Sequence, residues 1–151
     1  MANTTAVCAS FKSEVMTALH ALGTTVTRGG TGADAVKAAL YLASGSLGVG
    51  TTAYSATSEV TNSGSYTAGG VTVTNATAPT NDGTTAYWTP SASIQVTTFT
   101  AAAFDACLLY NSTQSNKAIA VYNFGSQTIT AGTFTLTMPT NNGTTGLLRL
   151  A

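Results

Sequence analysis

Short runs in which every second residue is apolar constrain the fold of this chain more than any other feature. Val36, Ala38, Leu40 and Leu42 occupy every second position of one such run. Further runs with the same period lie at residues 71–74, 94–97, 104–110, 118–122, 133–138 and 148–150. A period of two places successive side chains on opposite faces of a β-strand. Clusters of Gly, Asn, Asp and Ser separate the runs and are typical of turns, so the pattern predicts several short strands.

The predicted fold class is mainly β. The 151 residues suit one domain, which we expect to be an antiparallel β-sandwich or a jelly-roll-like barrel with an N-terminal α-helix. The runs at 104–110 and 118–124 are apolar on both faces, so they should lie centrally in a sheet. Gly125-Ser126 and Ala131-Gly132 are predicted to be turns between separate strands.

Residues 5–22 are predicted to form the helix. Its apolar stripe has spacings of three and four and consists of Val7, Phe11, Val15, Leu19 and Leu22. Thr4 or Thr5 could cap its start, and Gly23 has the position of a C-cap glycine. The stripe can pack on the chain's own sheet or dock on a partner. We therefore divide the chain into a helical arm with a Gly-rich hinge, residues 1–32, and a β-sandwich body, residues 33–151.

The chain has very few charges. Five Lys and Arg balance five Asp and Glu, and charged residues make up 7% of the sequence. A nucleic-acid binder needs clustered cations, and so does a polybasic membrane-binding surface, so we expect neither partner. No apolar run approaches the roughly 18 residues of a membrane-spanning helix. Thr, the commonest residue, supplies hydroxyl groups in place of ions, and such a surface needs little desolvation on contact with another protein.

Catalytic chemistry has few candidate residues here. His20 is the one imidazole, and it falls at the edge of the helical stripe. The five carboxylates are isolated in sequence, and Asp34 and Glu59 are expected to accept hydrogen bonds from backbone N–H groups in loops. Cys8 and Cys107 could be buried thiols or a disulfide. We expect no enzymatic activity, no cofactor and no metal.

Aromatic residues offer a different kind of site. Trp88, Tyr87, Tyr54 and Tyr66 could form a carbohydrate-binding platform, or they could be core and interface residues. Tyr54 and Tyr66 lie in the long polar stretch 45–70, which could cross the sheet edge or project as a contact loop.

Several longer phrases of the sequence are more specific. They are Ala39-Leu40-Tyr41-Leu42-Ala43-Ser44, Ser65-Tyr66-Thr67-Ala68-Gly69-Gly70-Val71, Asn116-Lys117-Ala118-Ile119-Ala120-Val121 and Gly132-Thr133-Phe134-Thr135-Leu136. In this order they resemble a family of small virion proteins of tailed double-stranded-DNA bacteriophages. The resemblance spans roughly residues 35–150 and implies a virion component.

The position within the virion has to be argued physically. A capsid cement or decoration protein should be small, β-rich and uncharged, and this chain has those properties. A cement role implies binding to the major capsid protein at the capsid surface. By analogy with decoration proteins, which commonly sit at three-fold positions, we expect a homo-oligomer, a trimer rather than a dimer. A tail or head–tail connector protein and a carbohydrate-binding module remain alternatives. The candidate contact residues are Val7, Phe11, Val15, Leu19, Leu22, Tyr54 and Tyr66.

Overall fold

The part of the chain that the structure describes forms two antiparallel sheets and one short helix. The computed structural model describes residues 2–23, 32–75 and 77–151. The elements are β1 (Ala6–Val7), α1 (Ala9–Met16), β2 (Val36–Leu42), β3 (Val71–Thr72), β4 (Thr80–Asn81), β5 (Ala86–Trp88), β6 (Ile94–Asn111), β7 (Lys117–Leu136) and β8 (Leu148–Leu150). The larger sheet has the strand order β1-β7-β6-β2-β3, and the smaller has the order β4-β5-β8. The predicted mainly β sandwich class with an N-terminal helix is confirmed, and across the described residues neither sheet closes into a barrel.

The core is continuous between the two sheets. Leu108 and Leu109 of β6 belong to the same buried cluster as Trp88 of β5 and Leu148 of β8. All residues from 104 to 111 of β6 are buried, because β6 lies in the middle of the larger sheet between β7 and β2. The predicted central position of the run at 104–110 is therefore confirmed, whereas the run at 118–124 lies beside it in β7 and is buried only from Ala118 to Val121.

β6 and β7 form one long bent ribbon where separate short strands were predicted. They contain 18 and 20 residues and are joined by a hairpin turn after Asn111. The expected turns at Gly125-Ser126 and Ala131-Gly132 lie inside β7, so that prediction is wrong. Thr98, Ala103, Gly125 and Ala131 have positive φ, and the register of the pair shifts between residues 96 and 106 of β6. The extra residues are absorbed as bulges, which bend the strands without ending them.

The helix is shorter than its apolar periodicity predicts. α1 spans Ala9–Met16 and not residues 5–22, because Ala6 and Val7 pair with Val121 and Ala120 of β7 instead. No side chain caps its start, where Cys8 is the N-cap residue, so the expected Thr cap is wrong. The helix ends at Thr17, well before Gly23, and the positive φ of Ala18 turns the chain away.

The N-terminal segment packs on the β body. Cys8, Phe11, Ala21 and Leu22 are buried, and the Cys8 N–H donates to the Ile119 carbonyl over 3.0 Å. The Gly-rich hinge predicted before residue 33 falls mostly on residues 24–31, which lie outside the described residues. The division into arm and body stays a prediction.

Candidate contact surface

The seven predicted contact residues fall into two groups. Phe11, Leu22 and Tyr66 are buried, so in this structure they stabilise the fold and present no surface. Val7, Leu19 and Tyr54 are half-buried, and Val15 is 38% exposed. Val7 lies in β1 and Val15 in α1, whereas Tyr54 and Tyr66 lie in the 45–70 segment. The structure therefore does not bring the seven residues together into one patch.

Two exposed apolar residues that the sequence reasoning missed lie in α1 and beside it. Met16 ends α1 and is 88% exposed, and Val49 is 56% exposed. The Ala9 N–H donates to the Val49 carbonyl over 2.8 Å, which holds Val49 against the start of the helix. Met16 directly follows Val15. A sequence prediction that ended the helix at Met16 would have identified Met16 as an exposed apolar residue at the helix terminus. We call Val15 and Met16 at the end of α1, together with Val49 beside its start, the α1 surface, and the exposed Lys12 lies between these two ends of the helix.

An apolar cavity of about 270 Å³ opens beside the α1 surface. Val15 belongs to its wall, so the cavity opens next to the last turn of α1. Phe11 and Leu22 line it from the N-terminal segment, and Trp88 and Leu148 line it from the smaller sheet. A cavity of this size could accommodate an apolar side chain of a partner protein.

His20 borders the same cavity but is held by a hydrogen-bonded network. Asn111 Oδ1 accepts the backbone N–H groups of Thr113 and Gln114, which fixes the orientation of the amide. Asn111 Nδ2 therefore faces His20 Nδ1, 3.0 Å away, and Nδ1 must act as the acceptor. His20 Nε2 then donates to Glu14 Oε2 over 2.9 Å. Both ring nitrogens are engaged, so His20 joins the segment after α1 to the β6–β7 turn.

Glu14 completes this network at the protein surface. Lys117 Nζ lies 3.1 Å from Glu14 Oε1 and forms an ion pair with it. Burial by itself would raise the pKa of Glu14, but the hydrogen bonds from His20 and Lys117 and the nearby positive charge hold the pKa below its usual value. The ionised carboxylate is therefore favoured in the folded state.

Replacing Glu14 by Gln is expected to reduce the acid sensitivity of the fold. A lowered pKa stabilises the folded protein above the unfolded pKa of about 4.5, and this contribution is lost as the pH falls through the folded value. Because Lys117 is partly exposed, the wild type should exceed the variant by only about 0.5–1 kcal/mol at pH 7. Urea unfolding at pH 7, 5 and 3 measures the difference, which should shrink toward pH 3. A difference that is equal at all three pH values would contradict this expectation.

Three of the carboxylates are buried. Asp34 Oδ2 accepts the backbone N–H of Ala21 and the side-chain amide of Asn111, each over 2.7 Å. Asp105 accepts side-chain amides of Asn3 at 2.6 Å and Asn123 at 3.0 Å. Neutral amide donors thus balance these charges within the fold.

Glu59 is the third buried carboxylate and fastens the 45–70 segment to the sheet. Its Oε1 accepts the Tyr66 hydroxyl over 2.8 Å and the Gly69 N–H over 2.7 Å. Its Oε2 accepts the Tyr54 hydroxyl over 2.6 Å. The Tyr66 oxygen in turn accepts the Leu40 N–H of β2 over 2.8 Å. The expected backbone hydrogen bonds of Asp34 and Glu59 are therefore observed.

The exposed surface consequently has even fewer charges than the composition suggests. In the described part of the chain, the exposed charged residues are Lys12, Asp82 and Arg149. Lys37, Lys117 and Glu14 are half-buried, and the remaining described carboxylates are in the interior. Most of the described surface presents Thr, Ser, Asn, Ala and Gly.

The aromatic residues contribute to packing. Trp88 is buried, and its indole N–H donates to the Thr77 carbonyl over 2.9 Å. Tyr54 stacks on Tyr110 with ring centroids 4.8 Å apart. A carbohydrate platform requires an accessible ring face, and the faces of Trp88 and Tyr66 are not accessible in this structure.

Both cysteines are free and buried. Burial raises the pKa of the Cys8 thiol to about 11 and that of Cys107 to about 12. The thiols are therefore protonated at neutral pH, and the alternative of buried free thiols is the one observed.

Comparison with known proteins yields no relative: no family model, no curated protein and no solved structure matches this chain. Across residues 2–23, 32–75 and 77–151, no helix combines the length and hydropathy needed to cross a membrane. The same residues contain no group of three or more His, Cys, Asp or Glu side chains placed to hold a metal ion. The function must therefore be inferred from the surface itself.

Proposed function

We propose that this protein is a capsid cement or decoration protein of a tailed double-stranded-DNA bacteriophage. In this role it binds the outside of the major capsid shell as a homo-oligomer and stabilises the shell. The resemblance of residues 35–150 to small virion proteins suggests the virion. The proposal requires only a homo-oligomer, and the trimer remains an expectation from the analogy with decoration proteins.

The charge-poor surface is the observation that carries the proposal. A cement protein covers a wide area of shell, and each exposed charge in that area would have to be desolvated or paired. Burial of Asp34, Glu59 and Asp105 leaves a described surface dominated by hydroxyl, amide and methyl groups. Such a surface can form a broad contact with little electrostatic cost.

The α1 surface is the part of the molecule that we assign to shell contact. Met16 and Val49 are exposed, and Val15 borders the apolar cavity. Burying a side chain such as Met16 in an interface is worth about 1.5–3 kcal/mol. The cavity would accept an apolar side chain of the major capsid protein, as central anchor residues do in other interfaces.

Replacing Met16 by Lys is expected to weaken binding to the shell at least tenfold without unfolding the protein. Met16 makes little contact with the rest of the chain, whereas a lysine would place a charge in the contact. Gln95→Lys is the matched control, because Gln95 is exposed on β6 and lies outside the α1 surface. Binding is measured by co-sedimentation with capsids that lack the protein, and folding by thermal unfolding.

Copy number tests the proposal as a whole. Quantitative mass spectrometry of purified virions should give a ratio to the major capsid protein near one or a simple fraction of it, and the bound protein should raise the temperature at which capsids burst. A handful of copies per particle would instead place the protein in the tail or neck. Absence from the particle would overturn the virion role.

A further inference from the structure

In the described residues, part of one edge of the β6–β7 ribbon has no strand beside it. β7 pairs with β6 along its length, but on its other side β1 pairs only with Val121 and Ala120. Within the described residues, the outer edge of residues 124–136 therefore lacks a neighbouring strand. None of the backbone hydrogen bonds seen outside the sheets in the described residues involves residues 126–136. In an antiparallel strand, alternate residues direct their N–H and C=O groups to such an edge.

The opposite edge of the same ribbon is covered. The Ser65 N–H donates to the Thr97 carbonyl of β6 over 3.0 Å, and the Thr97 N–H donates to Ser65 Oγ over 2.8 Å. The Thr100 N–H donates to Ser63 Oγ over 2.8 Å. The turn at residues 63–66 thus satisfies the β6 edge, which leaves the β7 edge as the open one.

The β7 edge also lacks most of the features that keep edges from pairing. Natural edge strands are blocked by charged side chains, by proline, by bulges or by short length. No charged residue occurs between Lys117 and Arg149, and no proline occurs before Pro139 in that stretch. Bulges are present in β7 at Gly125 and Ala131, but no residue from 132 to 136 has positive φ. The register shift opposite this segment, between Val96 and Phe99, lies on β6, where Thr98 has positive φ.

We propose that residues 132–136 of β7 pair antiparallel with the same residues of a second copy and join two chains about a twofold axis. In antiparallel self-pairing of residues 132–136 about a twofold axis, residue 133 of one copy lies opposite residue 135 of the other. Like charges at these positions would repel, so a charge-free segment suits self-pairing. The other edges of the sheet, β1 and β3, have two residues each and are too short for a head-to-tail ring. This arrangement gives a dimer in place of the trimer expected from the analogy with decoration proteins, and it does not depend on the virion role.

The proposed dimer is tested by lysine substitutions on the open edge of β7. Thr133 and Thr135 are exposed on β7 and flank the buried Phe134, so lysines at both positions leave the core intact. Light scattering and sedimentation should show a wild-type dimer. The Thr133→Lys, Thr135→Lys double variant should raise the dimer dissociation constant at least tenfold, more at low salt than at high salt.

Gln95→Lys is the matched control for this experiment. Gln95 pairs with Thr135 across the ribbon, so its lysine lies on the same face but one strand farther from the open edge. The Gln95→Lys variant should have nearly the same dimer dissociation constant as the wild type. A wild type that stays monomeric or forms a trimer, or a double variant that dimerises as well as the wild type, would overturn the proposal.

Hydrogen exchange supplies a readout that needs no substitution. Amides of residues 132–136 should become more protected as the concentration of wild-type protein rises, while the amides of β2 should not change. If the double variant does not fold, this measurement still decides the proposal, since concentration-independent exchange at residues 132–136 contradicts it.

Discussion

Replacing Glu59 by Ala is expected to lower the free energy of unfolding by about 3–5 kcal/mol. The change leaves the buried Tyr66 hydroxyl, the Gly69 N–H and the Tyr54 hydroxyl without their acceptor. Each buried donor that loses its partner costs about 1–3 kcal/mol, and Tyr54 should contribute least because it is partly exposed. Urea unfolding monitored by Trp88 fluorescence measures the loss.

Two further variants separate the hydrogen bonds from the packing of the side chain. Glu59→Gln keeps the shape and one acceptor oxygen, so it should lie between the wild type and Glu59→Ala. Tyr54→Phe removes a single hydroxyl and should cost about 1 kcal/mol. If Glu59→Ala were as stable as Glu59→Gln, the role assigned to the carboxylate would be wrong.

Replacing Phe11 by Ala should cost about 3–5 kcal/mol, as for other buried aromatic side chains. Phe11 is 1% exposed, and its ring centroid lies 4.7 Å from that of His20. Its loss would detach α1 from the β body and enlarge the adjacent cavity. Hydrogen exchange of the β1 amides should report this loosening together with the lower stability.

Val15→Ala is the matched control on the same helix. Val15 lies one turn after Phe11 and is partly exposed, so its truncation should cost less than about 1 kcal/mol. Equal costs for the two variants would show that the N-terminal segment is not anchored through Phe11.

The Tyr66-Thr67-Ala68-Gly69-Gly70 phrase, on which the resemblance partly rests, has a structural explanation. Tyr66 links Glu59 to β2, and Gly69 supplies an N–H to the same carboxylate. Gly70 has positive φ, and a Cβ at this position would collide with the Ala38 carbonyl of β2. The phrase therefore holds the 45–70 segment on the sheet.

The mainly β class and the central strands could be predicted because they follow from local periodicity. Alternation in residues 36–42 and the two-sided apolar run at 104–110 correspond to β2 and the inner half of β6. Periodicity failed in the N-terminal segment because residues 6 and 7 gain a partner strand that is distant in sequence. It also failed at Gly125 and Ala131, since the same residue types form bulges and turns.

The contact residues were harder to predict than the fold. Asp34 and Glu59 could be singled out as isolated charges, but their donors include Asn111, which is 77 positions from Asp34. The helical stripe identified five apolar residues, of which Phe11 and Leu22 are core, Val7 and Leu19 are half-buried and Val15 is exposed. Met16 and Val49 were missed because exposure depends on where α1 ends and on which loop packs beside it.

The pairing of β1 with β7 also determines when parts of the chain can fold during synthesis. Asn123 donates to the Asn3 carbonyl across 120 positions of sequence, and the Leu148 side chain lines the same cavity as Phe11. The N-terminal segment is synthesised before β7 and β8, with which it packs. The β6–β7 hairpin joins neighbouring parts of the chain and can form before β8 is made. Phe11 and Leu22 therefore cannot complete their packing until Leu148 of β8 has been synthesised, and until then part of their apolar surface is open to aggregation and to chaperones.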